Sequence, residues 1–208
     1  MEDLLQLAIL AVLAAIAAAA AAIWRLVHKY RQLQRDLSDM NKLLDASLKL
    51  NSMMHDPELL LTNVVHTAAQ VIDAEAASII LKDEETNELY FRAANGEKGE
   101  QVRHIRLRMG EGIAGWVAQQ GRSLRVDEVQ KDARWSSRVA DKTNFQTRNL
   151  ICVPIKVQNR ILGVIQVLNK VGGKHFTDQD VKLLEAMTMP AGVAIENARM
   201  YKRLQKTV

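Results

Sequence analysis

A single cysteine, three prolines, ten glycines and an aromatic content of 4% set the first limits on this 208-residue chain. The lone thiol, Cys152, has no intramolecular disulfide partner, so a reducing compartment is the expectation. Few glycines and prolines beside 48% hydrophobic residues argue against extensive disorder. The net charge of +4 is mild, and the basic residues do not gather into one block. Nucleic-acid recognition needs a denser basic stripe, so nucleic acid is not an expected partner. The histidines at 28, 55, 66, 104 and 175 lack zinc-ligand spacing, and no nucleophile–base arrangement is legible. Binding is therefore expected here, and catalysis is not.

What is present begins with "LLQLAILAVLAAIAAAAAAIW", Leu4 to Trp24, in which Gln6 is the only strongly polar residue. As a helix it reaches roughly 30 Å, the thickness of a bilayer core. Glu2 and Asp3 stand where a secretory signal would be basic, although the Ala-rich end imitates a cleavage site and keeps that reading open. Arg25, Lys29, Arg31 and Arg35 follow the run. By the positive-inside rule they stay cytoplasmic. Residues 1–24 are thus expected to span a cell membrane once, in contact with lipid. From 25 to 55 a heptad takes over, with Leu26, Leu33 and Met40 at d and Tyr30, Leu37 and Leu44 at a. It predicts a parallel coiled-coil stalk and a homodimer.

Asp56-Pro57 opens a helix carrying Leu60, Leu61, Val64, Val65, Ala68, Val71 and Ile72 at helical spacing. The period then shortens. "ASIILK" and "ELYFRAA" read as strands around the turn "DEETN", and "HIRLRM" as a third strand. "GEGIAGWVAQQG" is a short helix between glycines, and "SLRVDE" a short extended piece. A polar stretch from Lys131 to Arg148 precedes two strong strands, "LICVPIKV" and "ILGVIQVLNK", joined by the turn "QNR". A long helix runs to Lys206, with Thr177 and Asp180 spaced as a capping box and Pro190 expected to kink or break it. The order predicts an α+β domain over 56–206, an antiparallel sheet with helices on one face and at its ends.

These stretches, with "AEAASIILKDEETNELYFRAANGEKGE", "RMGEGIAGWVAQQGRSLRVDEVQKDAR" and "TNFQTRNLICVPIKV", resemble a GAF domain from about Asp56 to Lys206. The resemblance implies a small-molecule pocket between the sheet and the layer built by the short helix and the polar stretch. Carried over by position, its lining is Ser78, Ala94, Asn95, Ile113, Ala114, Thr143, Thr147 and Gln166. Thr143 and Thr147, four apart, share a face if their segment is helical. Alanine at 94 cannot stack on a base, which speaks against a cyclic nucleotide. With Arg148 next to Thr147 and no obvious carboxylate in the pocket, an uncharged heterocycle with an anionic arm is expected.

Nucleotide-binding members of the family carry Asn-Lys, a gap, Phe, three residues, then Asp-Glu. Here Asn169, Lys170, Phe176 and Asp180 match, and Val181 replaces the Glu. Lys170 ends a strand and Asp180 begins a helix, so an ion pair between them would pin helix to sheet, with Phe176 filling the gap beneath. The motif is read as a structural clamp and not as a ligand site. Relatives that reduce free methionine sulfoxide need more than one cysteine, and Cys152 sits alone in an apolar strand. The expected function is a membrane-anchored cytoplasmic sensor that signals through dimeric helices to a protein partner. The alternative is a ligand-free dimerisation scaffold holding that partner at the membrane. These residues specify no ligand, cofactor or downstream partner.

Overall fold

A computed structural model describes residues 57–96 and 98–206, with helical residues at 23–25, 27–29 and 31–32. The chain divides into two compact units, 1–44 and 45–208. Almost all of the expected span Leu4–Trp24 and of the 25–55 stalk lies outside the described residues. Among the described residues no helix is long and apolar enough to cross a membrane.

The second unit is built on a six-stranded antiparallel sheet in the order β3-β2-β1-β6-β5-β4. The strands are β1 (Ala74–Lys82), β2 (Glu88–Ala94), β3 (Arg106–Arg108), β4 (Leu124–Val126), β5 (Leu150–Val157) and β6 (Arg160–Lys170). Helix α1 (Pro57–Val71) precedes them, α2 (Gly112–Gln120) and α3 (Arg138–Thr143) lie between them, and α4 (Asp178–Lys206) closes the chain. Pro57 opens α1, where a missing N–H costs nothing.

The central strands β1, β5 and β6 each contain six consecutive buried residues. A strand buried on alternate residues has one wet face; an unbroken run requires a cover on both. Helices α1 and α4 supply one cover. A Cβ at Gly192 of α4 would stand 2.9 Å from Val157 Cγ2, so this glycine lets the helix approach the sheet. The second cover is α2, whose Ile113, Ala114 and Val117 join Ile80, Leu150, Cys152 and Val164 in one apolar cluster. The sheet is therefore flanked on both faces, where one face and the ends were expected. Strand β2 alternates half-buried and buried residues, as a less covered strand should.

The β5–β6 hairpin pairs Val157 with Arg160 around Gln158 (φ 46°) and Asn159 (φ 66°), the two left-handed residues of a type I′ turn. Asp83 Oδ1 accepts the Glu85 and Thr86 N–H groups and so folds the β1–β2 turn. Helix α4 passes through Pro190 without interruption. The cost of one missing N–H is absorbed by a helix that buries Leu183, Leu184, Met187, Ala191, Ala194 and Ile195.

Candidate functional site

Between the sheet and the α2/α3 layer lies a cavity of about 90 Å³, several times the roughly 10–15 Å³ that lodges one water. Ser78, Ala94, Asn95, Ile113, Ala114, Thr143, Thr147 and Gln166 all line it. Strand register explains how sequence-distant residues meet. Ser78 lies directly opposite Ala94 on β2 and Gln166 on β6, and Gln166 opposite Cys152 on β5. Residues opposite one another in antiparallel strands share a face, so Ala94, Ser78 and Gln166 form one row across the floor, and Cys152 continues that row outside the lining.

The row is apolar except for a doublet. Gln166 Nε2 donates to Ser78 Oγ at 3.0 Å, with the two residues 9% and 3% exposed. Asn95 is held by the sheet, since its Oδ1 accepts the Ala77 N–H at 2.6 Å. Ile113 and Ala114 pack in the core cluster beneath α2. Cys152 is fully buried, absent from the lining, and its thiol is pushed up by that burial.

Thr143 and Thr147 do not share a helical face. Helix α3 ends at Thr143, and Asn144 takes a left-handed conformation (φ 52°). The Thr143 hydroxyl donates to Val139 O at 2.9 Å and accepts the Phe145 N–H at 3.3 Å, so it serves the helix end. Thr147 differs. It is 6% exposed and lines the cavity, and among the described residues its hydroxyl has no hydrogen-bond partner.

Asn169 places Thr147. With φ 59° it turns at the end of β6, buried. Its Oδ1 accepts the Arg148 N–H at 2.7 Å and its Nδ2 donates to Gln146 O at 2.9 Å, gripping both neighbours of Thr147. The same Nδ2 donates to Glu75 Oε2 at 2.8 Å, and Arg148 Nη2 to Glu75 Oε1 at 2.6 Å. Partial burial would raise the Glu75 carboxyl, but these bonds outweigh it and hold the group below its ordinary value.

Lys170 and Asp180 lie outside the cavity lining. Lys170 Nζ lies 2.9 Å from Asp180 Oδ1, donates to Ile72 O at 2.7 Å and sits 5.7 Å from the Phe176 ring centre. Asp180 Oδ2 accepts the Thr177 N–H at 2.7 Å, and Thr177 Oγ1 accepts the Asp180 N–H at 3.2 Å, a reciprocal cap on α4. One ammonium thus joins the end of α1, β6 and the start of α4. None of Asn169, Lys170, Phe176 and Asp180 lines the cavity.

Two expectations about charge need correction. Arg148 does not line the cavity and pairs with Glu75. A carboxylate, Glu111, does line it. Burial pushes the Glu111 carboxyl up, yet the Arg108 N–H and the Arg138 guanidinium, at 2.9 Å each, hold it below its ordinary value. Basic residues of the polar stretch are paired in turn. Lys131 pairs with Glu128 at 2.5 Å, Arg134 with Asp132 at 2.6 Å and Arg138 with Glu111 at 2.9 Å. Lys98 brings the lining its cation.

Several site residues escaped the sequence reading. Trp135, Phe91 and Phe145 line the cavity and supply the rings that Ala94 cannot. Asn149, 5% exposed, accepts the Lys170 N–H at 2.9 Å and donates to Lys174 O at 3.2 Å, mirroring Asn169 on the next strand. A tryptophan inside a polar stretch was the available signal.

The family model of the GAF domain matches residues 56–195. The probable 3',5'-cyclic phosphodiesterase pde-5 of Caenorhabditis elegans is 30% identical over 193 residues, 87% of this chain but 26% of that protein. The chain thus spans about a quarter of that relative's length. Among solved structures, the GAF domain of a phosphoenolpyruvate-protein phosphotransferase from Coxiella burnetii superimposes with a TM-score of 0.73 at 20% identity, covering 80% of this chain and 98% of that one. Free methionine-R-sulfoxide reductase from Neisseria meningitidis, solved with its substrate, gives 0.66 at 17% identity, covering 78% and 91%. At such identities these likenesses speak to the fold.

Proposed function

The chain belongs to the GAF domain family, and on that premise we propose that it is a sensory module that binds a small molecule in the cavity over the Ser78–Gln166 doublet. One observation carries this reading. Thr147 lines the cavity, and its hydroxyl has no partner among the described residues. Those residues hold no fully buried side-chain polar atom without a partner, so this hydroxyl is open to a second molecule. A ligand that accepts from it or donates to it gains a hydrogen bond worth about 0.5–1.5 kcal/mol.

The module binds and does not catalyse. The only thiol is buried beside Gln166 and is not part of the cavity lining, which supports that reading against redox chemistry. Cyclic nucleotides, named by the phosphodiesterase relative, are poor candidates, because Arg134, Arg138 and Arg148 are each already paired with a carboxylate. The proposal extends to location and assembly. Residues 4–24 anchor the protein in a membrane with its GAF domain in the cytoplasm, and the heptad segment pairs two copies. The charge-free run and the basic residues after it support this. Ligand binding biases the helices, which pass the change to a protein partner.

Differential scanning fluorimetry of the purified protein with a panel of nucleotides and metabolites tests the proposal. At least one compound should raise the midpoint, and Thr147→Val should shrink that rise. A panel without effect would favour the ligand-free scaffold.

A further inference from the structure

The Ser78–Gln166 doublet has a property that does not depend on how its amide is turned. With Gln166 Nε2 donating to Ser78 Oγ at 3.0 Å, the serine retains its O–H to donate and Gln166 Oε1 is left to accept. If the amide is reversed, the serine donates to Oε1, its oxygen accepts, and Nε2 donates. Either way at least one donor and one acceptor stand side by side, on directly opposed residues of β1 and β6. No further partner for Ser78 or Gln166 occurs among the described residues beyond their strand bonds.

The surroundings narrow the complement. Phe91, Trp135 and Leu150 are among the walls, so the body of the ligand is flat or apolar. Arg138 is engaged by Glu111, and Glu111 and Lys98 both line the cavity, so one charge of each sign stands in the walls and a neutral ligand is favoured. A group that matches an adjacent donor and acceptor is a cis-amide, whose carbonyl accepts while its N–H donates. The geometry points to a neutral, planar lactam heterocycle as the ligand, read edge-on by Ser78 and Gln166, with Gln166 as the specificity-determining residue. This rests on the proposed binding function of the cavity and adds the class of molecule bound. Thr147 then bonds a second polar group of the ring system and does not distinguish the lactam from its blocked form.

The test uses the full chain and two probe pairs of different size, 2-pyridone with N-methyl-2-pyridone and hypoxanthine with 1-methylhypoxanthine, titrated by calorimetry. Sites that bond a ligand N–H reject analogues lacking it by large factors. At least one lactam should bind about tenfold or more tightly than its methylated partner. Gln166→Leu should erase that ratio, whereas Thr147→Val should weaken both hypoxanthines, which carry further ring nitrogens, and leave the ratio intact in either pair. Equal binding within each pair, or no binding of either lactam, overturns the inference. Native mass spectrometry separates this from failure of the cavity reading. A co-purified molecule lost on Thr147→Val keeps that reading when the lactam fails, and an empty protein that also takes up no lactam and no member of a metabolite panel removes both.

Discussion

Lys170 shows how much one side chain can hold. Its ammonium bonds the last carbonyl of the α1 turn and the Asp180 carboxylate, and it is screened by Phe176, with the Lys170 and Asp180 side chains only 12% and 10% exposed. At that burial an ion pair does not gain much over two apolar residues, but an unpaired member costs a great deal. Lys170→Ala should therefore lower stability by about 1–4 kcal/mol, and Lys170→Met with Asp180→Val should recover part of it. An unchanged thermal midpoint in Lys170→Ala would remove the clamp. Asn169→Ala makes a different demand. It frees the Gln146–Arg148 backbone and should weaken any ligand bound through Thr147 as well as stability, which titration and thermal melting read separately. The Asn-Lys pair thus divides its work, Asn169 supporting the cavity wall and Lys170 the helix. The pairing of Lys170 with Asp180 over Phe176 was legible because those partners lie within ten residues, whereas the reach of Asn169 to Glu75, Gln146 and Arg148 and of Lys170 to Ile72 was not. Asn149 was not, since its meaning depends on the register of β5 against β6, which no local pattern announces.

At the scale of elements the polar stretch is the most instructive. It contains α3, six residues long, too short to form by propensity alone. Ion pairs hold its surroundings. Arg134 lies 4.7 Å from the Trp116 ring centre while paired with Asp132, and Arg138 reaches Glu111 at the start of α2. Because the Glu111 carboxyl is lowered from its ordinary 4.5, the sign of its pH dependence follows. A carboxyl with a depressed folded value contributes stability above its unfolded value and loses it as pH falls through the folded one. Stability should decline as pH drops below about 4.5, and Glu111→Gln should flatten part of that decline in urea melts taken across pH 3–6, a range set around ordinary carboxylate values. An unchanged pH profile would mean the α2–α3 contact contributes nothing. The strands and long helices were legible from periodicity. Helix α3 and the placement of Trp135 were not, because a stretch fixed by ion pairs to sequence-distant partners has no period to read.

For the whole molecule, the order of elements specified an α+β sheet domain with helices on one face and at the ends, whereas the second cover emerged only from the unbroken buried runs of β1, β5 and β6. The cavity residues were legible only through family resemblance, since Ser78, Thr147 and Gln166 are ordinary polar residues until register brings them together. The proposed assembly predicts that the detergent-solubilised full chain sediments as a dimer; a monomeric mass would remove the coiled-coil pairing. The central claim, a small molecule held in the cavity between the sheet and the α2/α3 layer, is tested most directly by native mass spectrometry of the purified protein beside Thr147→Val. The account predicts a mass excess on the wild type, released on denaturation and diminished in the variant. A wild-type protein with no added mass, and no gain on exposure to a metabolite panel, would contradict it.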